Sequence, residues 1–246
     1  MSLENRVILI TGAGSGLGRA LAVAFARQGA HLFLLGRDQK KLEATDDLIR
    51  QAGGKAGLIP LDLETGLQRV PEVAKALFER FGRLDLLVNN AALTGPRTPM
   101  DAHCPAEWQA VFRVNLDAPF FLTRELLPLL RLSSAGVVIQ VVCGEGVAAA
   151  PFRGAYGASK AALLHMTRTW AAEIVSGSVR MHAVDPGPMA TPLRARVFPG
   201  EDASLLPRPE SVVSLFLRLA DPEFPGEHGQ LLTPESFARK YNTDGS

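Results

Sequence analysis

The chain has 246 residues, 47% of them hydrophobic, with a formal net charge of +1 and two cysteines. This is enough apolar material for one large core, and the interspersed charges give no electrostatic footprint for nucleic acid or an anionic membrane surface, so a small-molecule partner is expected. Cys104 and Cys143 are too few for a disulfide framework, no His/Cys cluster has metal-ligand spacing, and the apolar runs fall short of the roughly 20 residues that span a bilayer.

Short apolar runs alternate with segments of helical period. Strands are predicted at 6–10 (RVILI), 31–35 (HLFLL), 56–61 (AGLIPL), 84–89 (LDLLVN), 136–142 (GVVIQVV), 179–184 (VRMHAV) and 229–233 (GQLLT). Between them lie amphipathic stretches such as GRALAVAFARQG, KKLEATDDLIRQAG and PEVAKALFERFG, the last two ending at the glycine expected just past a helix C-terminus. Strand and helix alternating in this way give an α/β fold, a single domain built on a doubly wound parallel sheet of about seven strands with helices on both faces. Residues 186–210 carry prolines and glycines that break every period, which predicts a flap over a pocket. The tail 235–246 is polar and expected to fray. With no secretory pattern at the N-terminus, a cytoplasmic location is expected.

The first strand runs straight into TGAGSGLG, and Gly12, Gly16 and Gly18 fit TGxxxGxG rather than GxGxxG. Glycines in such a turn let the backbone approach a pyrophosphate, whose charge then meets free N–H groups at the helix N-terminus, here around Ser15 and Leu17. A tight connection that binds nothing is the alternative. At the end of the second strand, where an acid selects a free ribose hydroxyl, the chain has Gly36, then Arg37 and Asp38. A guanidinium pairs well with phosphate oxygens, so NADP(H) is preferred and NAD(H) remains possible through Asp38. Arg37 as a solvated charge is the third alternative.

Tyr156 and Lys160, in YGASK, lie one turn apart on one helix face. A phenol titrating near 10 is brought towards working pH by a nearby ammonium, which makes an acid/base pair. Together, TGxxxGxG and YGASK resemble the motifs of the short-chain dehydrogenase/reductase family, and the resemblance covers essentially the whole chain. LDL with Asp62 and Leu63, NNAA at 89–92, VNL with Asn115, and DPGPMAT with Pro186, Gly187 and Thr191 follow in the family's order. The resemblance implies a Rossmann-type fold and reversible hydride transfer between a nicotinamide and a small carbonyl or alcohol substrate. It implies Tyr156 as general acid/base, Lys160 also binding the nicotinamide ribose, and Asn115 holding a water that links Lys160 to solvent. Asp62 would meet the adenine, Asn89 and Ala91 the adenosine ribose side, and the 186–191 loop the nicotinamide carboxamide. Pairing through two long helices, about 103–132 and 154–176, would give a homodimer or homotetramer. Within the family the chain is most similar to poorly characterised bacterial oxidoreductases, through LLGRDQKKLEA and TPLRARVFPGEDASLLPRPE.

The bland alternatives are a helix cap for Asp62, a satisfied buried polar group for Asn115, and core or interface packing for Trp108, Phe112, Phe120 and Phe121. Phe152, Arg153 and Met189 are candidates for the pocket lining.

The family pattern places a serine thirteen residues before the tyrosine, donating to the substrate oxygen, and this chain has Cys143 there. A thiol is a weak donor. Losing one oxyanion donor costs on the order of 10²- to 10³-fold, so a partial donor predicts a loss of about 10- to 10²-fold. Three readings stay open: a slow reductase, a dinucleotide-binding sensor or scaffold without turnover, and a redox-sensitive thiol acidified by cationic neighbours. Glu145, two residues on, either faces the pocket or points into water.

Overall fold

The computed structural model describes residues 2–174, 179–224 and 228–241. Seven parallel strands form one sheet: β1 Val7–Thr11, β2 His31–Gly36, β3 Ala56–Pro60, β4 Leu86–Asn89, β5 Gly136–Val141, β6 Val179–Val184 and β7 Leu231–Leu232. Their order is 3-2-1-4-5-6-7, so the winding direction reverses between β1 and β4. In an open α/β sheet that reversal leaves a crevice at the carboxyl ends of the strands.

Strand alternation divides the core into two layers. Ile8, Ile10, Leu34, Val88 and Ile139 face one way and pack with the helices α1 Gly16–Arg27, α2 Gln39–Gln51 and α8 Val213–Ala220. Val7, Leu9, Leu35, Leu87 and Val138 face the other way, towards α3 Val70–Phe81, α5 Ala118–Arg131 and α6 Gly154–Glu173. The two long helices of the sequence reading differ in detail. The first is α4 Pro105–Phe112, then a π-helical turn Arg113–Asp117, then α5. The second ends at Glu173, and positions 175 and 176 lie outside the described residues. Trp108 stacks on Phe112, and Phe120 lies against Phe121 and Trp170, all half-buried and outside the crevice.

Two expectations are corrected. The segment 186–210 is not irregular throughout: Thr191 caps a short helix, α7 Pro192–Val197, by accepting from the Arg194 N–H, with Pro192 in its first turn. The tail is helical through α9 Pro234–Tyr241, because Phe237 and Tyr241, one turn apart, pack their rings on Phe224. Positions 242–246 lie outside the described residues. No helix among the described residues is long and apolar enough to cross a membrane.

Candidate active site

The crevice is a cleft of about 730 Å³ running from the end of β2 past β1 and β4 to β5 and α7. At its centre the glycine turn closes onto the next strand. Gly12 and Gly16 both have positive φ, and a Cβ on Gly12 would meet the Ala91 backbone at 2.9 Å. The Ser15 side chain makes no capping bond, so the first N–H groups of α1 are left for an anion. Gly12, Ser15, Gly16 and Leu17 line the cleft, whereas Gly18 lies behind it, where a side chain would strike the Gly12 carbonyl. Thr11 fastens the turn to β4: its hydroxyl accepts from the Asn90 and Ala91 N–H groups at 2.9 Å each.

At one end of the cleft stand Gly36, Arg37, Asp38 and Lys41. Asp38, the acid that could have reached a ribose, instead caps α2 by accepting from the Lys41 N–H at 3.1 Å and pairs with the Lys41 ammonium at 3.6 Å. Asp62 lines the cleft beside Leu63 and accepts from the Glu64 N–H. The Asn89 expectation is corrected. Alternation along β4 turns this side chain into the α5 layer, where it is 2% exposed and donates to Thr123; the next residue, Asn90, lines the cleft with Ala91.

At the other end, Tyr156 and Lys160 on α6 meet the turn that follows β5. Gly146 and Gly157 make this approach possible, since a Cβ on either would meet opposing backbone at 2.8–2.9 Å. Lys160 is 2% exposed and donates to the Val141 carbonyl at 2.7 Å; burial pulls its pKa down to about 8. Burial pushes the Tyr156 phenol well above its ordinary value, and Cys143 and Glu145 add to the rise. The opposing cation is Arg153, whose guanidinium lies 4.4 Å from the ring centroid, against 5.9 Å for the Lys160 ammonium. Of the two cations Arg153 is the nearer to the ring, and its charge opposes the rise of the phenol pKa.

Cys143 also departs from expectation. Burial, reinforced by the neighbouring Glu145 carboxylate, pushes its pKa up to about 12, the opposite direction from an acidified redox thiol. Glu145 faces the cleft. Burial opposes its charge, but the Cys143 thiol and Arg153 outweigh this and hold it below the usual carboxylate range. Asn115 is fully buried in the π-helical turn and does not line the cleft. Its side chain accepts from the Leu93 N–H and donates to the Leu93 carbonyl and to Ser159, which ties the loop after β4 to α6. Pro186, Gly187 and Thr191 line the cleft, and Asp185, which the sequence did not single out, folds their loop by accepting from the Gly187 N–H at 3.0 Å.

Comparison with known proteins fits this arrangement. The sequence model described as "short chain dehydrogenase" matches residues 6–202. The chain is 36% identical over 219 residues to the uncharacterized oxidoreductase YciK of Escherichia coli K12, covering 88% of this chain and 86% of that one. A short chain dehydrogenase of Salmonella enterica serovar Typhi superposes with a TM-score of 0.90 at 36% identity, covering 94% and 96% of the two chains. A Shigella flexneri 2a protein solved in complex with NADP superposes with a TM-score of 0.91 at 34% identity, covering 95% and 99%. With this cleft, this strand order and these relatives, the chain belongs to the short-chain dehydrogenase family of oxidoreductases.

Proposed function

We propose that the protein reduces a small carbonyl compound with NADPH. One observation carries the reading: the glycine cradle and the Tyr156–Cys143–Lys160 group line a single cleft. The residues present suit a dinucleotide. Gly12, Ser15, Gly16 and Leu17 would hold the pyrophosphate at the N-terminus of α1. Arg37 and Lys41 would bind a 2′-phosphate, with Asp38 beside them engaged by the Lys41 N–H and ammonium, Asp62 and Leu63 would flank the adenine, and Ala91 with Asn90 the adjoining ribose. Lys160 would reach the second ribose, with Pro186, Gly187 and Thr191 at the nicotinamide end. Bound there, the cofactor would supply a hydride.

The chain's own residues supply the proton. A phenol kept protonated by burial is the form that donates to a carbonyl oxygen as negative charge develops on it. Arg153 over the ring then stabilises the phenolate left behind. Cys143 contributes only a weak donor, which interacts with Glu145 as well as with Tyr156. That last observation favours a second reading, a protein that binds the dinucleotide without turning it over.

A carbonyl panel followed through NADPH absorbance, with cofactor binding followed in parallel by NADPH fluorescence, separates the two. The expected result is binding with slow turnover, and a rise in kcat of about 10- to 10²-fold in Cys143→Ser. Binding with no turnover until serine is installed would assign the native chain to the second reading.

A further inference from the structure

Three guanidinium groups gather around one phenyl ring at the substrate end of the cleft, Arg153 and Arg194 in its lining and the exposed Arg97 just outside it. Phe198, just past α7, lines the cleft, and the guanidinium carbons of Arg194, Arg97 and Arg153 lie 4.1, 4.7 and 6.0 Å from its centroid. They arrive from α7, the loop after β4 and the start of α6, so only the fold brings them together. Like charges this close repel, and the carboxylates nearby answer them unequally. Glu201 binds Arg194 through both oxygens, at 2.6 and 2.7 Å. Glu145 reaches Arg153 only at 3.4 Å and is shared with the Cys143 thiol. Among the described residues, the exposed Arg97 makes no ion pair.

Arg153 is the most telling of the three. It is 6% exposed, and its Nη1 is enclosed without a hydrogen-bond acceptor. A buried donor left unpaired is costly, and a guanidinium is matched by the paired oxygens of an acid group. The contact with an aromatic ring is weaker than a charge-assisted hydrogen bond, so an incoming anion outcompetes Phe198 for these cations. Because Arg153 also lies over the Tyr156 ring, a group held by it is anchored next to the phenol.

We propose that this cluster binds an acid group on the substrate, so that the carbonyl compound reduced is an anionic one, an oxo-carboxylate or an oxo-phosphate, with its acid end on Arg153 and Arg97 and its carbonyl at Tyr156. The inference rests on the hydride-transfer reading above and names its substrate class. It also gives Glu145 a role, as the internal carboxylate that occupies Arg153 until substrate displaces it.

The test is calorimetry on the protein–NADP⁺ complex with two matched pairs, acetoacetate against methyl acetoacetate and dihydroxyacetone phosphate against dihydroxyacetone. NADPH oxidation is followed with the same four compounds. The acid of at least one pair should bind at least about tenfold more tightly than its neutral partner, as one charge-assisted hydrogen bond allows, and the pair that does so tells carboxylate from phosphate. Arg153→Gln and the exposed Arg97→Gln should each weaken the acid several-fold more than the neutral compound, while Glu145→Gln should tighten it. Equal affinities within both pairs, or an acid preference that neither arginine variant touches, would overturn the proposal. Turnover of neutral carbonyls alongside that result would leave the reductase reading standing. If no compound oxidises NADPH, the reductase reading falls instead, and the binding comparison still decides the anion site. Should Arg153→Gln not fold, Arg97→Gln carries the comparison.

Discussion

Arg37 and Tyr156 mark the two ends of the chemistry, and each is governed by what its neighbours leave unpaired. At the end of β2 the position suited to a ribose-binding acid is Gly36, and the next acid, Asp38, is committed to capping α2. Arg37 and Lys41 are thus the charges a ribose substituent meets. Arg37→Asp should move the NADPH/NADH ratio of kcat/KM towards NADH by at least about tenfold, as expected for one lost charge-assisted hydrogen bond; an unchanged ratio would show that another group reads the ribose. Much of this site was legible in the sequence, because Tyr156, Lys160, Cys143 and the glycines stand at fixed short spacings. Lys41 and Asn90 were not legible as site residues, and Arg153 was legible only as a candidate for the pocket lining. Arg153 gains its meaning from burial beneath Phe198 and over Tyr156, and the choice between Asn89 and Asn90 depends on which face of β4 each one takes.

Among the elements, the strands were readable because buried parallel strands are continuous apolar runs, and their ends shifted by only a residue or two, apart from the shortened seventh. α7 and α9 escaped notice because each is short: α7 rests on its own Thr191 cap among breaking prolines, and α9 depends on a tertiary partner, the Phe224 ring. What registers the central strands was equally hidden. Asp85 is 2% exposed and accepts from the Val7 N–H at 2.8 Å and the Ser133 hydroxyl at 2.5 Å, while Arg6 and Arg83 stand 3.9 and 3.2 Å away. It therefore joins β1, β4 and the entry to β5 at the end of the sheet opposite the cleft. Asp85→Ala leaves the buried Arg6 without its carboxylate and should cost about 3–5 kcal/mol in denaturant unfolding. A loss below about 1 kcal/mol would mean that the sheet holds its register without this residue.

For the molecule as a whole, enclosing Lys160 ties the site to global stability. Its pKa is about 8 folded against 10.5 in an exposed chain, so between those values the unfolded state binds more protons and stability rises with pH. Between pH 7 and 9.5 this raises the stability of the wild type relative to Lys160→Met by about 2 kcal/mol. Cys143, raised to about 12, works in the opposite sense above pH 9, but it is present in both proteins and largely cancels in the difference. A wild-type-minus-variant unfolding free energy that is flat across this range would show that the ammonium is better solvated than its 2% exposure implies.

The central claim is that a buried phenol beside a glycine cradle gives its proton to a carbonyl as hydride arrives. It is tested most directly by single-turnover loss of NADPH absorbance in wild type and Tyr156→Phe, with the best carbonyl compound found and with cofactor binding checked by fluorescence. The account predicts that the variant binds NADPH as wild type does but loses turnover by at least about 10²-fold, the usual scale for removing a general acid. Equal turnover in the two proteins would contradict it.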